Sequence, residues 1–403
     1  MPGGTRSYEM ARRLVQFGHE VHIITTWRGD CRKGSSWFDS QESGITVHWL
    51  PVPYSNRMGF LARLKAFFMF ALMARSKSVE IGGDIVLATS TPLTIAIPGV
   101  YASRSLKVPL VFEVRDLWPS VPIALGALKN PISKKLAKNL EIWAYRNSDA
   151  IIALSPGMKE GIVSKGFSAS RIAVIPNGSD NQDFSYDKVA SDSFRQSREW
   201  LRDRPLLVYA GTFGTVNGVG YLVELAARVL NIAPSIRFLL VGDGKERESV
   251  IALAEKLGVL GKNVFFEPQI SKREVPALLA AATFSSSVVI DLPELRDNSA
   301  NKVFDGFAAG KPVFINHGGW LHDLILKHQC GLSVWGMSLE AAAIEFAEKI
   351  QDKHWSECAG NLARELAEKY FDRDTLAIQL ANVLEAVAIR SATKIDQISP
   401  GDY

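Results

Sequence analysis

Cysteine is scarce in this sequence of 403 residues, with only Cys31, Cys330 and Cys358. Three widely separated cysteines form neither a disulfide framework nor a cysteine-ligated zinc site. Long apolar runs are also missing, since the longest, at residues 66–74, is too short to cross a bilayer. Internal repeats and low-complexity segments are absent, as are the basic-aromatic motifs of nucleic-acid modules. We therefore expect a cytoplasmic protein with no nucleic-acid partner.

The composition is that of a folded protein with a large core. Hydrophobic residues make up 47% of the chain and charged residues 22%, which is enough to build two or three domains of ordinary size. The net charge of +4 is uneven, because the first 150 residues carry 19 Lys and Arg against 11 Asp and Glu. A basic front half favours an anionic partner such as a membrane surface or a phosphate-bearing substrate.

Short β-branched runs alternate with longer amphipathic stretches, which predicts an α/β protein with parallel sheets flanked by helices. Predicted strands cover residues 21–25, 44–50, 85–88, 110–114, 150–154 and 172–175, and then 206–210, 238–241, 264–266, 284–289 and 313–315. A polar stretch near 185–204 is typical of a linker. We predict two doubly wound, Rossmann-like domains over residues 1–185 and 186–374. A last helix, in the segment 375–403, should pack back on the first domain.

The first residues form a glycine-rich stretch directly before a predicted helix at residues 7–17. Gly3 and Gly4 let the backbone approach a phosphate closely, and the N-terminus of a helix directs free N–H groups at it. Such loops follow the central strand of a doubly wound sheet, yet this one has no strand before it. Either the true start lies upstream or this form lacks its first strand. The structural alternative is a frayed tail before a helix.

A charged pair follows the predicted strand at residues 110–114. Ligands of parallel α/β sheets bind beyond the carboxyl ends of the strands, so Arg115 and Asp116 lie where catalysis is expected. The alternative is a salt-bridged loop in which Trp118 plugs the core. The turn at residues 176–178 ends the first half, and a simple exit turn explains it as well as a role in a cleft does.

Two glycine-rich turns follow strands of the second half and precede helices. One contains Gly211 and Gly214, with Asn217 soon after, and the other begins at Gly242. Such turns can meet the phosphates or the base of a nucleotide. Each turn alone is weak evidence, because every doubly wound domain needs turns of this kind.

The most informative stretch runs from Asp297 to Val313, where two acids eight residues apart flank the start of a helix. Asn301 and Lys302 lie in its first turn, where N–H groups and an ammonium hold a phosphate. Asp305 follows on the helix, placed to accept ribose hydroxyls. Asp297 on the preceding loop is placed to accept hydroxyls of a transferred sugar. The alternative is an ordinary acid-capped helix.

This stretch resembles the E-x7-E region of family-4 retaining glycosyltransferases, which have the GT-B fold of two Rossmann-like domains facing a cleft. The initial glycines, the turn at 18–21, the turn at 176–178 with Asp180, and the helix end at 308–313 match the family in order. The resemblance covers nearly the whole chain. The strings at 115–119 and 301–305 are similar to a subgroup of N-acetylfucosaminyl and colanic-acid-type transferases, which build bacterial surface polysaccharides on undecaprenyl carriers.

The chain departs from the family pattern at several positions. Both acids are Asp where the family usually has Glu. Thr212 and Asn217 occupy positions where many members have Arg and Lys, and Arg115 stands where many have a donor-contacting His. The resemblance implies that Lys302 supplies the missing positive charge, helped by the N–H of Gly214.

The resemblance implies a retaining transfer from a UDP-sugar to an undecaprenyl-diphosphate-linked or other lipid-linked saccharide. The sugar would be an N-acetylated deoxyhexose or a hexose, and neither a metal nor another cofactor would take part. Arg115, Asp116, Asp297 and Lys302 would be catalytic. The UDP-sugar would be bound by Gly3, Gly4, Gly211, Gly214, Asn217, Gly242, Asn301, Lys302 and Asp305.

Residues 57–77 combine five basic residues with two apolar segments and no acid. A basic, apolar helix suits the surface of an anionic bilayer. We therefore expect a peripheral protein on the inner face of the plasma membrane. A buried helix with basic ends is the alternative.

Two other functions stay open at this point. Sugar-nucleotide 2-epimerases share the architecture but act on a soluble substrate, which leaves the basic apolar stretch unexplained. An inactive nucleotide-sugar-binding scaffold would account for the absent first strand and the shorter acids.

Overall fold

The computed structural model describes residues 6–27, 29, 36–53, 58–185, 188–391 and 394–403. The predicted phosphate-binding glycines, Gly3 and Gly4, lie outside the described residues, as does Arg57 of the basic stretch. Within a described helix, the side chains of Phe60 and Leu61 are also outside the description.

The described residues contain thirteen strands. They are β1 (His22–Trp27), β2 (Phe38–Glu42), β3 (Ile45–Pro51), β4 (Val86–Thr89), β5 (Leu110–Val114), β6 (Ala150–Ala153), β7 (Ile172–Val174), β8 (Leu206–Ala210), β9 (Arg237–Val241), β10 (Val264–Glu267), β11 (Phe284–Ser287), β12 (Val313–Ile315) and β13 (Gly331–Ser333). Eleven lie where the sequence predicts strands, with bounds that differ by at most two residues. The prediction missed β2, which is mostly polar, and β13, which is three residues long and begins with glycine.

Sixteen α-helices occur in the same residues. They are α1 (Arg6–Gln16), α2 (Phe60–Ile81), α3 (Ala96–Leu106), α4 (Ser120–Ala124), α5 (Pro131–Arg146), α6 (Pro156–Val163), α7 (Lys188–Gln196), α8 (Gly220–Ile232), α9 (Arg247–Lys256), α10 (Val275–Ala280), α11 (Asn301–Ala308), α12 (Trp320–His328), α13 (Leu339–Gln351), α14 (Lys353–Tyr370), α15 (Arg373–Ala388) and α16 (Ile395–Ile398).

The chain divides into two compact units. The first comprises the described residues up to Pro176 together with Asp374–Asp402, and the second comprises Asn177–Arg373 with Tyr403. The division therefore falls earlier than the sequence analysis placed it. The stretch expected to be a linker contains helix α7, which packs on α10, and the Ser191 hydroxyl donates to the Ala280 carbonyl oxygen at 3.2 Å.

The first unit contains two separate sheets in its described residues. β3 pairs with β1 in parallel and with β2 antiparallel, whereas β4, β5, β6 and β7 form a parallel sheet in that order. Helix α1 packs on both, since Met10 and Leu14 contact the cluster around Val111, and Ala11 contacts that around Ile45. Within the described residues β1 pairs only with β3, and β4 pairs only with β5.

Helix α15 completes the core of the first unit. Leu376, Leu380 and Val383 are buried with Met10 and Val111. Their spacing of four and three residues puts them on one helical face. The apolar pattern of the sequence thus explains why this helix packs on the first unit rather than staying exposed.

The second unit is built on a six-stranded parallel sheet with the order β10-β9-β8-β11-β12-β13. Apolar clusters cover both faces, one around Phe238 and Phe346 and the other around Phe304 and Phe371. The strand order changes direction between β8 and β11. In open α/β sheets the crevice for a ligand forms at the carboxyl ends of the strands at such a point.

Candidate functional site

Two glycine turns meet at the carboxyl ends of β8 and β9, beside this change of direction. A Cβ atom on Gly242 would lie 1.9 Å from the carbonyl oxygen of Gly211, and its φ of +145° is rare for other residues. The N–H of Gly211 donates to the Val241 carbonyl oxygen at 2.9 Å. The two predicted turns are therefore packed backbone against backbone, and no side chain fits at position 242.

Lys302 reaches from α11 to the turn after β8. A Cβ atom on Gly211 would lie 3.2 Å from its Cδ. The Nζ of Lys302 lies 3.5 Å from Oδ1 of Asn217 and 5.3 Å from the centroid of the Tyr209 ring, within the range of a cation–π interaction. The structure thus brings together three residues that the sequence analysis selected, namely Gly211, Asn217 and Lys302.

The predicted residues Gly214 and Asn301 lie at two ends of this region. Gly214 precedes a short 3₁₀ turn at Thr215–Asn217, and its carbonyl oxygen accepts from the Asn217 N–H at 2.9 Å. Asn301 is exposed and is the first residue of α11. The N-cap of that helix is Ala300, which offers no side-chain acceptor to the first-turn N–H groups.

Burial lowers the pKa of Lys302 to about 8, and the charge of Asp305 offsets part of this effect. At pH 7 the amine of Lys302 is therefore protonated in most molecules. Within the described residues Lys302 forms no salt bridge, so its charge is compensated only in part. A nearby anion would stabilise the protonated amine and raise its pKa, which is the electrostatic character of a phosphate site.

Asp305 lies on α11 one turn after Lys302, and the hydroxyl of Ser179 donates to its Oδ1. Burial raises the pKa of Asp305, while the Ser179 hydroxyl and the charges of Arg373 and Lys272 oppose this rise. The carboxylate is therefore held by one hydroxyl donor in a poorly solvated place. Such a carboxylate is suited to accept hydroxyl hydrogen bonds.

Polar groups around Asp180 hold the chain that carries Ser179. Arg373 donates to the Asp180 carboxylate and, at 2.6 Å, to the Gly178 carbonyl oxygen. Nζ of Lys272 lies 3.5 Å from Oδ2 of Asp180. The side chain of Arg373 is 8% exposed, so this ion pair is well shielded from water.

The first predicted acid, Asp297, is half-buried in the loop that leads into α11. Several contacts fix this loop: the Trp320 indole donates to the Asn298 carbonyl oxygen at 2.7 Å, and Asn177 donates to that of Ser299 at 2.5 Å. Asn316 holds the start of the loop through the backbone of Val289. The loop is a defined structure, although the role of Asp297 in it stays a prediction.

In the first unit, Arg115 and Asp116 follow β5 as predicted. The N–H of Arg115 donates to the Ser90 hydroxyl at 3.0 Å, and Oδ2 of Asp116 accepts from the Thr91 hydroxyl at 3.1 Å. Both partners follow the neighbouring strand β4. The carboxyl ends of β4 and β5 therefore present one hydrogen-bonded polar cluster, with Asp116 exposed.

Glu113, the penultimate residue of β5, is buried next to that cluster. Its carboxylate accepts from Nε of Arg6 at 2.8 Å and from the Thr89 hydroxyl at 2.6 Å. Burial alone would raise the pKa of Glu113, but the charges of Arg6 and Arg115 and the Thr89 hydroxyl hold it below its ordinary value. Arg6 also donates to two backbone carbonyl oxygens after β7, at 2.6 and 2.9 Å. These bonds fix the first turn of α1 at the carboxyl edge of the sheet.

Comparison with known protein families identifies the class of protein to which the two units belong. Residues 3–178 match the glycosyl transferase 4-like domain family, and residues 190–368 match the family of glycosyl transferases group 1. The chain belongs to the glycosyltransferases. The two matches together cover most of this glycosyltransferase, and each falls largely within one of its two units.

One curated relative agrees with the colanic-acid-type subgroup that the motifs indicated. The glycosyltransferase is 26% identical over 68% of its length, and 70% of the relative, to the putative colanic acid biosynthesis glycosyl transferase WcaI of Escherichia coli. It is also 26% identical, over 95% of its length and 94% of the relative, to a GDP-mannose-dependent alpha-(1-6)-phosphatidylinositol monomannoside mannosyltransferase of Mycobacterium tuberculosis.

Solved structures show the fold. The crystal structure of HepE from Anabaena in complex with UDP-glucose superposes with a TM-score of 0.71, at 18% identity, and covers 96% of this chain and 97% of that one. Together with the two α/β units, this likeness establishes the GT-B fold for the glycosyltransferase.

Three polar residues of the glycosyltransferase's sites were not selected from its sequence: Glu113, Ser179 and Arg373. Each meets its partner across a long stretch of chain, 107 residues for Glu113 and Arg6 and 126 for Ser179 and Asp305. No local pattern reveals such pairs, and the signals near Ser179 were the turn at 176–178 and the match of Asp180 to the family. No group of three or more potential ligands among the described residues is arranged to hold a metal ion, and metal-independent transfer stays a prediction.

Proposed function

We propose that this glycosyltransferase moves a sugar, an N-acetylated deoxyhexose or a hexose, from a UDP-sugar to a lipid-linked saccharide in the synthesis of a surface polysaccharide. The transfer retains the configuration at the anomeric carbon and uses no metal. The similarity to a colanic acid glycosyl transferase supports the class of product.

One observation carries the proposal: a partly compensated ammonium at the change of direction in the sheet. Lys302 lies beside the glycine turn at Gly211 and in the first turn of α11, whose N–H groups meet no capping side chain. Backbone donors and a cation converging at a helix N-terminus form a site for a diphosphate. Asp305, one turn later, accepts ribose hydroxyls of the same nucleotide.

The proposed chemistry needs no nucleophilic side chain. The bond between the anomeric carbon and the β-phosphate oxygen breaks, and the electron pair leaves with the diphosphate. Lys302 and the α11 N–H groups stabilise that charge, which is the kind of preorganised electrostatic contribution that dominates many enzymes. The acceptor hydroxyl attacks from the same face, and its proton passes to the departing phosphate oxygen.

The base of the donor is the least constrained part of the proposal. HepE was crystallised with UDP-glucose, which supports uridine, whereas the mycobacterial relative is described as GDP-mannose-dependent. Asp305 contacts ribose in either case and does not distinguish the two bases. A direct comparison of nucleotides is therefore part of the test.

A lipid-linked acceptor implies contact with a membrane, and helix α2 supports this part of the proposal. Phe68, Met69, Leu72 and Met73 are exposed on it, and Glu80 near its end is its single acid. Exposed apolar side chains among basic ones suit the interface of an anionic bilayer. No helix among the described residues is both long and apolar enough to traverse a bilayer.

Titration calorimetry with UDP, GDP and ADP, in the presence of a chelator, tests the nucleotide site. Wild-type protein should bind UDP most tightly, while Lys302→Ala and Asp305→Asn should each weaken that binding at least tenfold. Lys311→Ala is the matched control, because burial also lowers the pKa of Lys311 to about 8. The Nζ of Lys311 donates to the Ala280 carbonyl oxygen at 3.1 Å and not to the glycine turns.

The outcomes separate the alternatives. Equal loss of binding in Lys311→Ala and Lys302→Ala would mean that the effect is one of stability and not of the site. Tighter binding of GDP than of UDP would mean that the donor is a GDP-sugar that binds at the same site. Binding that appears only when Mg²⁺ is added would overturn the metal-independent mechanism.

A further inference from the structure

Ser179 lies in a short extended segment that opens the second unit. Its N–H donates to the Phe371 carbonyl oxygen at 3.0 Å, and its own carbonyl oxygen accepts from the Arg373 N–H at 3.0 Å. These two bonds form a parallel β-bridge between Ser179 and Asp372. The residue is 1% exposed, so its backbone and its side chain are both fixed inside the fold.

The segment is held at both ends as well. Asn177 before it donates to the Ser299 carbonyl oxygen at 2.5 Å, and its own N–H donates to the Ser299 hydroxyl at 3.1 Å. Asp180 after it is paired with the buried guanidinium of Arg373. The segment is thereby fixed against the start of α11. Backbone contacts on both sides of Ser179 therefore determine where its hydroxyl lies.

The hydroxyl of Ser179 donates to Oδ1 of Asp305. A carboxylate has two oxygens, each able to accept more than one hydrogen bond. With one oxygen held by a fixed donor, the carboxylate plane cannot turn freely, and the second oxygen has a defined direction. A side-chain rotamer locked by its neighbours is what a precise hydrogen-bond acceptor requires.

We propose that Ser179 is a positioning residue for the nucleoside of the donor: it orients Asp305 so that the carboxylate accepts ribose hydroxyls. This inference rests on the proposed function, since it assigns the ribose to Asp305. Ser179 itself does not touch the reacting atoms. It sets the affinity for the sugar of the nucleoside and not for the diphosphate, which Lys302 holds.

The same hydrogen bond favours the ionised form of Asp305. Charged groups from several elements face this carboxylate: Lys302 on α11, Lys272 before α10, Arg373 at the start of α15, and Asp180 beside Ser179. Burial raises the pKa of Asp305, and the donor Ser179 opposes that rise. Loss of the hydroxyl therefore raises this pKa further, and a protonated carboxyl accepts hydroxyl hydrogen bonds poorly.

The test compares UDP with 2′,3′-dideoxy-UDP, which lacks both ribose hydroxyls, by titration calorimetry. Wild-type protein should bind UDP at least tenfold more tightly than the dideoxy analogue. In Ser179→Ala this ratio should fall below threefold, while affinity for the analogue changes little. Ser179→Cys, similar in volume but a weak donor, should behave like the alanine variant, and Ser179→Thr should recover much of the ratio.

Ser191→Ala is the matched control, because Ser191 is also a buried serine of the second unit whose hydroxyl donates to a backbone carbonyl. It should keep the wild-type ratio. As a second readout, the pH below which UDP binding is lost should move upward in Ser179→Ala and stay in place in Ser191→Ala. A purely structural role of Ser179 would move neither the ratio nor this pH limit.

A Ser179→Ala protein that still distinguishes UDP from its dideoxy analogue tenfold overturns the inference alone. A wild-type protein that binds both nucleotides equally overturns the assignment of the ribose to Asp305 and the inference with it. If the wild type binds no nucleotide, the proposed function itself is wrong, and the two failures are thereby distinguished.

Discussion

Two partly buried lysines of the second unit show how the contacts of a side chain separate a functional site from a structural contact. Burial lowers the pKa of both Lys302 and Lys311 to about 8. Lys311 donates to the carbonyl oxygen at the end of α10, at 3.1 Å, and so caps that helix. Lys302 instead faces the glycine turn and the Tyr209 ring. Among the residues that the structure describes, Lys302 forms no salt bridge, and the charge of Asp305 offsets only part of the cost of its burial, which is typical of functional groups.

Replacing Lys302 by Met should stabilise the protein while removing nucleotide binding. The folded-state pKa of Lys302, about 8, lies below the ordinary lysine value of 10.5, so the protonated amine destabilises the folded state. The penalty of about 3 kcal/mol is fully present below pH 8 and disappears as pH rises past the unfolded-state pKa. Urea unfolding without nucleotide should show the gain of Lys302→Met at pH 7 and a much smaller gain near pH 10. An equal gain at both values would contradict this origin.

At the scale of elements, the turns after β8 and β9 act as one unit. Besides the contact of Gly242 with Gly211, a Cβ atom on Gly244 would lie 2.4 Å from the Phe213 carbonyl oxygen. The Phe213 N–H donates to the Asp243 carbonyl oxygen at 2.9 Å. Neither turn can move without the other. The surface that Lys302 faces is therefore rigid backbone, which keeps donors in place before a ligand arrives.

Gly242→Ala should disrupt this pair of turns. The added Cβ would overlap the Gly211 carbonyl oxygen, and the φ of +145° adds backbone strain. We therefore expect the variant to lose more than about 3 kcal/mol of stability and to lose UDP binding.

Gly261→Ala is the control, because Gly261 also has a positive φ, +71°, but a Cβ there would have nothing within 4 Å. This variant should lose about 1 kcal/mol of stability and keep UDP binding. Thermal unfolding measures the stability of the two variants, and titration calorimetry measures their UDP binding. Similar stability of the two variants would show that the turns tolerate a shift.

At the scale of the whole molecule, the first unit combines an excess of positive charge with exposed apolar side chains on one helix. The first 150 residues carry the excess of basic residues, and α2 carries exposed apolar side chains. An anionic bilayer attracts the basic residues and accommodates the exposed apolar side chains. This combination supports the proposed contact with a membrane that carries the lipid-linked acceptor.

Exchange of Phe68 and Leu72 for Ser should weaken binding at least tenfold to vesicles that contain phosphatidylglycerol. Each exchange removes about 1–2 kcal/mol of binding free energy, because an apolar side chain is no longer buried in the bilayer. Ile344→Ser is the matched control, because Ile344 on α13 is 58% exposed against 54% for Leu72. Cosedimentation should also weaken with salt, and fail with pure phosphatidylcholine. If the control loses as much binding as the double variant, α2 is not the contact.

The fold was largely predictable from local patterns. Strands such as β5 and β8 are buried on both faces and read as continuous apolar runs, which is why their bounds were found exactly as the structure has them. Strand β2 was missed because its pairing with β3, and not its own polar sequence, makes it a strand. The three-residue β13 has too short a pattern to recognise.

Sequence alone determined the alternation of strands and helices, the glycine turns, and the acid–lysine stretch of α11, because each of these is encoded within a few neighbouring residues. Only the tertiary structure decided that Ser179 donates to Asp305, that Arg6 holds Glu113, and that Gly242 packs on Gly211. Those contacts join residues far apart in the chain. They form where parallel strands end at one edge of a sheet, and a one-dimensional pattern does not contain that proximity.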